Sequence, residues 1–171
     1  VVEESATGKT FGSGTHTRRT GITVTDSDAI AVKAIGVDAD VTILDGTFDG
    51  GSGGNNICVA AANGAKVNLK GGTFTVGGDA NGIGNSVIYS QGGDITIEGG
   101  FFYTDCSYNG KYYVLNQSNG NPGTITVKGG TFVNYDPSTG DDNLHGNFVA
   151  DGYKVVSEAH GSDTWYTVVS K

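Results

Sequence analysis

Four stretches of this chain superimpose residue for residue. They are Val41-Thr42-Ile43-Leu44-Asp45-Gly46-Thr47-Phe48, Val67-Asn68-Leu69-Lys70-Gly71-Gly72-Thr73-Phe74, Ile95-Thr96-Ile97-Glu98-Gly99-Gly100-Phe101-Phe102 and Ile125-Thr126-Val127-Lys128-Gly129-Gly130-Thr131-Phe132. The closing phenylalanines, Phe48, Phe74, Phe102 and Phe132, stand 26, 28 and 30 residues apart. A steady period of this size marks a repeat architecture, in which one unit cannot bury its apolar face alone and must stack on its neighbour. Within each stretch apolar and polar residues alternate, as in a strand with one buried face. Val41, Val67, Ile95 and Ile125 share one column, and Ile43, Leu69, Ile97 and Val127 share the next. The glycines then turn a corner and the Phe enters the core.

A second strand is expected before each repeat, at Ala29-Ile30-Ala31-Val32, Ile57-Cys58-Val59-Ala60, Ser86-Val87-Ile88-Tyr89 and Tyr112-Tyr113-Val114-Leu115, and a short third strand following each Phe, as in Phe74-Thr75-Val76. Three strands and three corners in this length describe one coil of a parallel β-helix, because a propeller blade of four strands needs about 40 residues or more. The expected fold is all-β, a right-handed parallel β-helix (solenoid) of about four to five coils. Composition agrees, with 30 glycines, 2 prolines, no methionine and an apolar set dominated by residues that suit a pleated surface.

At 171 residues the chain is read as one unit in three parts. Residues 1–20 hold no recognisable repeat strand and suit an N-terminal cap or attachment segment; 21–133 form the coils; 134–171 form the final coil loop and a C-terminal hairpin cap. The hairpin joins Tyr153-Lys154-Val155-Val156-Ser157-Glu158 to Thr164-Trp165-Tyr166-Thr167-Val168-Val169 and is expected to cover the open edge of the last coil. On the exterior, Lys70, Glu98 and Lys128 occupy one column with alternating sign, which favours a single register.

The corner Gly-Gly-Thr-Phe, together with Asn147-Phe148-Val149-Ala150-Asp151-Gly152-Tyr153-Lys154-Val155-Val156 and Trp165-Tyr166-Thr167-Val168-Val169, resembles the right-handed β-helix modules of gut bacterial surface proteins and of bacteriophage fibre-like proteins. The resemblance runs over about residues 22–169 and specifies architecture well and activity poorly. It implies a non-enzymatic structural or adhesive module at a virion surface or bacterial cell surface. Its implied partners are its own copies or other particle and surface proteins.

The net charge of -8, with only 10 Lys and Arg and no basic stripe, argues against nucleic acid. No run of 18 apolar residues is present, so no helical membrane insertion is expected. The N-terminal Val1-Val2-Glu3-Glu4 has neither a basic nor a hydrophobic region, as expected after removal of a signal, in an excerpt, or in a particle component assembled inside a cell. Cys58 and Cys106 occupy non-equivalent places 48 residues apart and are expected to remain thiols.

Chemistry is sparse. A polysaccharide lyase of this fold is the enzymatic alternative, yet the arginines, Arg18 and Arg19, lie outside the repeat, and the carboxylate pairs sit in turn-like contexts that favour Asp for its backbone hydrogen bonds. No catalytic residue and no cofactor is expected. The candidate ligands for a structural calcium ion are Asp136, Asp141 and Asp142, where clustered oxygens supply hard ligands. His16, His145 and His160 show no ligand spacing. The binding candidate is the third coil's excursion, with Tyr103, Asp105, Tyr108, Asn109 and Tyr112: rings and polar groups of this kind are what recognition of a host-surface glycan uses. The alternative for the same tyrosines is packing against the Phe column.

Overall fold

The computed structural model describes residues 2–4, 9–11, 21–23, 29–78, 85–107, 110–139 and 147–171. The first coil contributes three short strands, β1 (Val2–Glu4), β2 (Lys9–Phe11) and β3 (Gly21–Thr23). The second contributes β4 (Ile30–Ile35), β5 (Asp40–Ile43) and β6 (Thr47–Asp49), and the third β7 (Ile57–Ala62), β8 (Lys66–Leu69) and β9 (Thr73–Val76). The fourth holds β10 (Ser86–Gln91), β11 (Asp94–Ile97) and β12 (Phe101–Thr104). The fifth holds β13 (Leu115–Gln117), β14 (Thr124–Val127) and β15 (Thr131–Val133), and the chain ends in the hairpin β16 (Tyr153–His160) and β17 (Asp163–Ser170).

These strands form three sheets, and every strand pairing between coils is parallel. The orders are β1-β4-β7-β10-β13, β2-β5-β8-β11-β14 and β3-β6-β9-β12-β15, the last extended by β17 and then β16. The fold is therefore the parallel β-solenoid expected from the repeat, closed by an antiparallel C-terminal hairpin. No helix among the described residues is long and apolar enough to cross a membrane.

The predicted register holds in the repeat strands. Val41, Val67, Ile95 and Ile125 are successive partners, as are Ile43, Leu69, Ile97 and Val127, and all eight are buried. The four phenylalanines are fully buried and stack, with ring centroids 5.3, 5.1 and 4.8 Å apart and planes within about 11° of parallel. That spacing follows from the 4.7–4.9 Å separation of paired strands. Gly46, Gly72, Gly100 and Gly130 make the corner at φ values of 128, 105, 113 and 96°, a region that side chains rarely adopt. At Gly100 a Cβ would also lie 3.2 Å from the rings of Phe74 and Phe102.

Three details depart from expectation. First, residues 1–20 supply two strands of the opening coil: β1 pairs with β4 and β2 with β5. Their three-residue length and mixed composition hide them from a search for alternation. Second, the last strand of the first sheet, β13, lies later than the expected Tyr112–Leu115, because Leu115, Asn116 and Gln117 are the partners of Ile88, Tyr89 and Ser90. An apolar run alone does not fix register where two consecutive residues, such as Tyr113 and Val114, both look strand-like. Third, the exterior charge column forms one ion pair rather than two: Lys70 Nζ lies 3.7 Å from Glu98 Oε2, and no Lys128 pair forms with Glu98. Both paired side chains are about half exposed, so little stability rests on them.

A buried asparagine column supports another corner. Asn85 Nδ2 donates to the carbonyls of Gly53 and Gly77 at 2.8 and 2.9 Å, and its Oδ1 accepts the Asn56 N–H at 2.8 Å. Asn56 repeats the arrangement one coil below, donating to Gly50 O and accepting from Ala29 N–H. Each side chain thus satisfies backbone groups that a buried turn would otherwise orphan. At the C-terminal end Tyr135, Phe148 and Val168 are buried in the core cluster, and Tyr153, Val155 and Tyr166 pack against it as a lid. Phe148 and Ala150 add hydrogen bonds to Val127, extending the second sheet past its last strand.

Candidate functional site

The alternation of β12 buries Phe102 and Thr104 and leaves Phe101 and Tyr103 half-buried on the outer face of the third sheet. The corner there reads Gly99-Gly100-Phe101-Phe102, so an outward aromatic replaces the threonine that the other corners carry at Thr47, Thr73 and Thr131. Asp105 follows and is exposed. The Tyr103 phenol is pushed above its ordinary range, first by partial burial and then by the Asp105 and Asp163 carboxylates and Tyr112. It therefore remains a neutral hydroxyl, able to donate, within the field of two carboxylates.

Of the predicted binding residues, Asp105 and Tyr112 lie near enough to Tyr103 to act on its charge, whereas Tyr108 and Asn109 lie outside the described residues. Tyr112 is half-buried and packs against the core cluster. Continuing the register of Ile88 with Leu115, it occupies the place next above Asn85 in the asparagine column.

The hairpin adds residues that sequence reasoning passed over. Trp165 is the cross-strand partner of Val133 and meets Phe101 edge to face, with centroids 5.1 Å apart and planes at 70°. His160 stacks on Trp165 at 3.8 Å, and its Nε2 lies 3.5 Å from Glu158 Oε2. Asp163 is held by Asn134, whose Nδ2 donates to its Oδ1 at 2.9 Å and whose own Oδ1 accepts the Thr164 N–H. The result is an outer shelf of Phe101, Tyr103, Trp165 and His160, rimmed by Asp105, Glu158 and Asp163. Ring faces and edges offer contact with C–H groups, and the carboxylates accept from hydroxyls or attract cations. The signal in the sequence was the Phe in place of Thr at position 101.

Asp136, one of the three expected calcium ligands, uses its Oδ1 to accept the Ser138 N–H at 2.9 Å and the Ser138 hydroxyl at 2.7 Å. This is the local turn role that Asp commonly takes. Asp141 and Asp142 lie outside the described residues. Among the described residues no group of three or more His, Cys, Asp or Glu side chains converges on a point that could hold a metal.

Cys58 and Cys106 are buried and not bridged. Cys58 Sγ donates to the Phe48 carbonyl at 3.2 Å, and burial drives its thiol far above the ordinary range, which suppresses the reactive thiolate. No protein-family model, curated protein or solved structure matches the chain.

Proposed function

We propose that the chain is a non-enzymatic structural and adhesive surface module, part of a virion surface or a bacterial cell surface, that holds its exterior loops and hairpin on a stiff stacked scaffold. The observation that carries this reading is the fully buried column of Phe48, Phe74, Phe102 and Phe132. The interior is spent on packing, and polar groups beside aromatic rings gather on the outside. Its partners in this reading are its own copies or neighbouring particle and surface proteins. The test is incubation of the purified protein with a panel of acidic and neutral polysaccharides, followed by reducing-end and unsaturated-product assays. No turnover is expected, and turnover abolished by a point substitution would overturn the reading.

The outer shelf favours a second role for the same module, recognition of a host-surface glycan. Phe101, Tyr103 and Trp165 supply ring area, while Asp105 and Asp163 supply acceptors. The net charge of -8 disfavours anionic sugars and points to neutral ones. A glycan array comparing wild type with Trp165→Ala and Tyr103→Ala tests it. Binding lost in both variants is the expected result, and binding unchanged in both removes the shelf as the site.

A further inference from the structure

The hairpin covers the edge of β15 and in doing so presents a new edge. β17 pairs with β15 on one side and with all eight residues of β16 on the other, while β16 ends the seven-stranded sheet. Among the described residues nothing pairs with its far side. The Lys171 N–H donates to Gly152 O, and these residues continue the register that sets Tyr153 opposite Ser170. Even-numbered residues of β16 therefore turn their backbone groups toward β17, and odd-numbered ones turn them toward the open edge. Val155, Ser157 and Ala159 present N–H and C=O groups there without a ladder. Long open edges of this kind are what folded proteins ordinarily shorten, cover or pair.

The side chains of this strand carry a self-complementary pattern. Val156 is 45 % exposed, one of three large apolar side chains so exposed among the described residues. It is flanked two positions away by exposed Lys154 on one side and exposed Glu158 on the other. An antiparallel pair of identical strands that places Val156 opposite itself necessarily places each Lys154 opposite a Glu158. It also matches the odd-numbered edge groups with each other, Val155 with Ser157. Moving the centre to Ser157 sets Lys154 against His160 and Glu158 against Val156, and moving it to Val155 sets Lys154 against Val156; neither joins opposite charges.

We infer that β16 is a homodimerisation strand, whose open edge pairs antiparallel with β16 of a second copy about a two-fold axis at Val156, merging the two seven-stranded sheets. The interface is isologous, so the Lys154–Glu158 contact occurs twice. In this non-hydrogen-bonded register the paired side chains approach most closely.

The experiment is sedimentation equilibrium on the full chain, with near-ultraviolet circular dichroism and thermal melts as checks on the fold. Wild type is expected to dimerise. Lys154→Glu and Glu158→Lys should each weaken the dimer by about tenfold or more, because each creates two like-charge contacts. The double variant Lys154→Glu, Glu158→Lys should return to within about threefold of wild type, since opposite charges face again. Ser157→Pro should give a monomer with an intact core, because it removes a donor at the open edge and leaves the β17 ladder alone. A wild type that stays monomeric at millimolar concentration overturns the inference. So does a dimer indifferent to Ser157→Pro, or a double variant no tighter than the singles.

Discussion

Phe102→Ala should be the most damaging single truncation in the molecule. Phe102 is fully buried and stacks on Phe74 at 5.1 Å and on Phe132 at 4.8 Å. Loss of transfer energy together with the cavity costs about 3–5 kcal/mol at such a site. Each stacked pair adds about 0.5–1.5 kcal/mol beyond its buried area, which places this residue in the upper part of that range. Phe48 stacks on one ring, Phe74, and its other register partner is Ile22, so Phe48→Ala should cost about 1 kcal/mol less. Phe101 sits on the adjacent position but faces outward and is half-buried, and Phe101→Ala should cost about 1–2 kcal/mol. For a chain of this size each kcal/mol moves the melting temperature by about 2–4 °C, so Phe102→Ala should lower it by about 10–20 °C. Urea titration and calorimetry on the three variants give the order. If Phe102→Ala were no worse than Phe101→Ala, the stacked column would not be the source of the stability.

The other predictions concern the corner, the thiol and the asparagines. Gly100→Ala should destabilise by more than about 1 kcal/mol in urea titration, since the residue sits at φ 113° and a Cβ would press on Phe74 and Phe102. Asn85→Ala should cost about 2–3 kcal/mol, because the buried Asn56 N–H and two half-buried glycine carbonyls lose a partner, while Asn68→Ala should cost well under 1 kcal/mol, its bond to Asp40 being partly exposed. The Cys58 thiol is raised on folding, so its contribution is fully present below its ordinary value near 9.0 and is lost as pH climbs above it. Above that point stability should fall by up to about 1.4 kcal/mol per pH unit from this group, and the Cys58→Ala variant should lack that share of the slope. Cys58 should also resist an aromatic disulfide reagent at pH 8 until denaturant is added; fast labelling of the native protein would contradict its burial.

The parts of the fold that were legible in the sequence are those in which one side-chain type repeats at one structural place. The columns through Val67, Leu69 and Phe74 and the glycine corners were of this kind, because backbone strain and burial there admit few residues. The asparagine column was not, since Asn56 and Asn85 are 29 residues apart and flanked by loops that hide their equivalence. Once placed, their bonds to Gly50, Gly53 and Gly77 explain them. The opening strands were invisible because three residues such as Lys9-Thr10-Phe11 carry too little pattern to stand out alone, and pairing with β5 defines them. Of the candidate shelf, Tyr103 and Asp105 were readable as a ring beside a carboxylate. Trp165, and His160 stacked on it, were not, because the approach of Trp165 to Phe101 depends on how the hairpin joins β15, a contact between residues 64 positions apart.

Ring-to-ring contact along the phenylalanine column bears most directly on the architecture. In protein isotopically labelled only at phenylalanine, with assignments made through single Phe→Leu variants, nuclear Overhauser effects between aromatic protons should link Phe48 to Phe74, Phe74 to Phe102 and Phe102 to Phe132, and none should link Phe48 to Phe102. Absence of the Phe74–Phe102 effect, or a direct one between Phe48 and Phe102, would contradict the stacked solenoid.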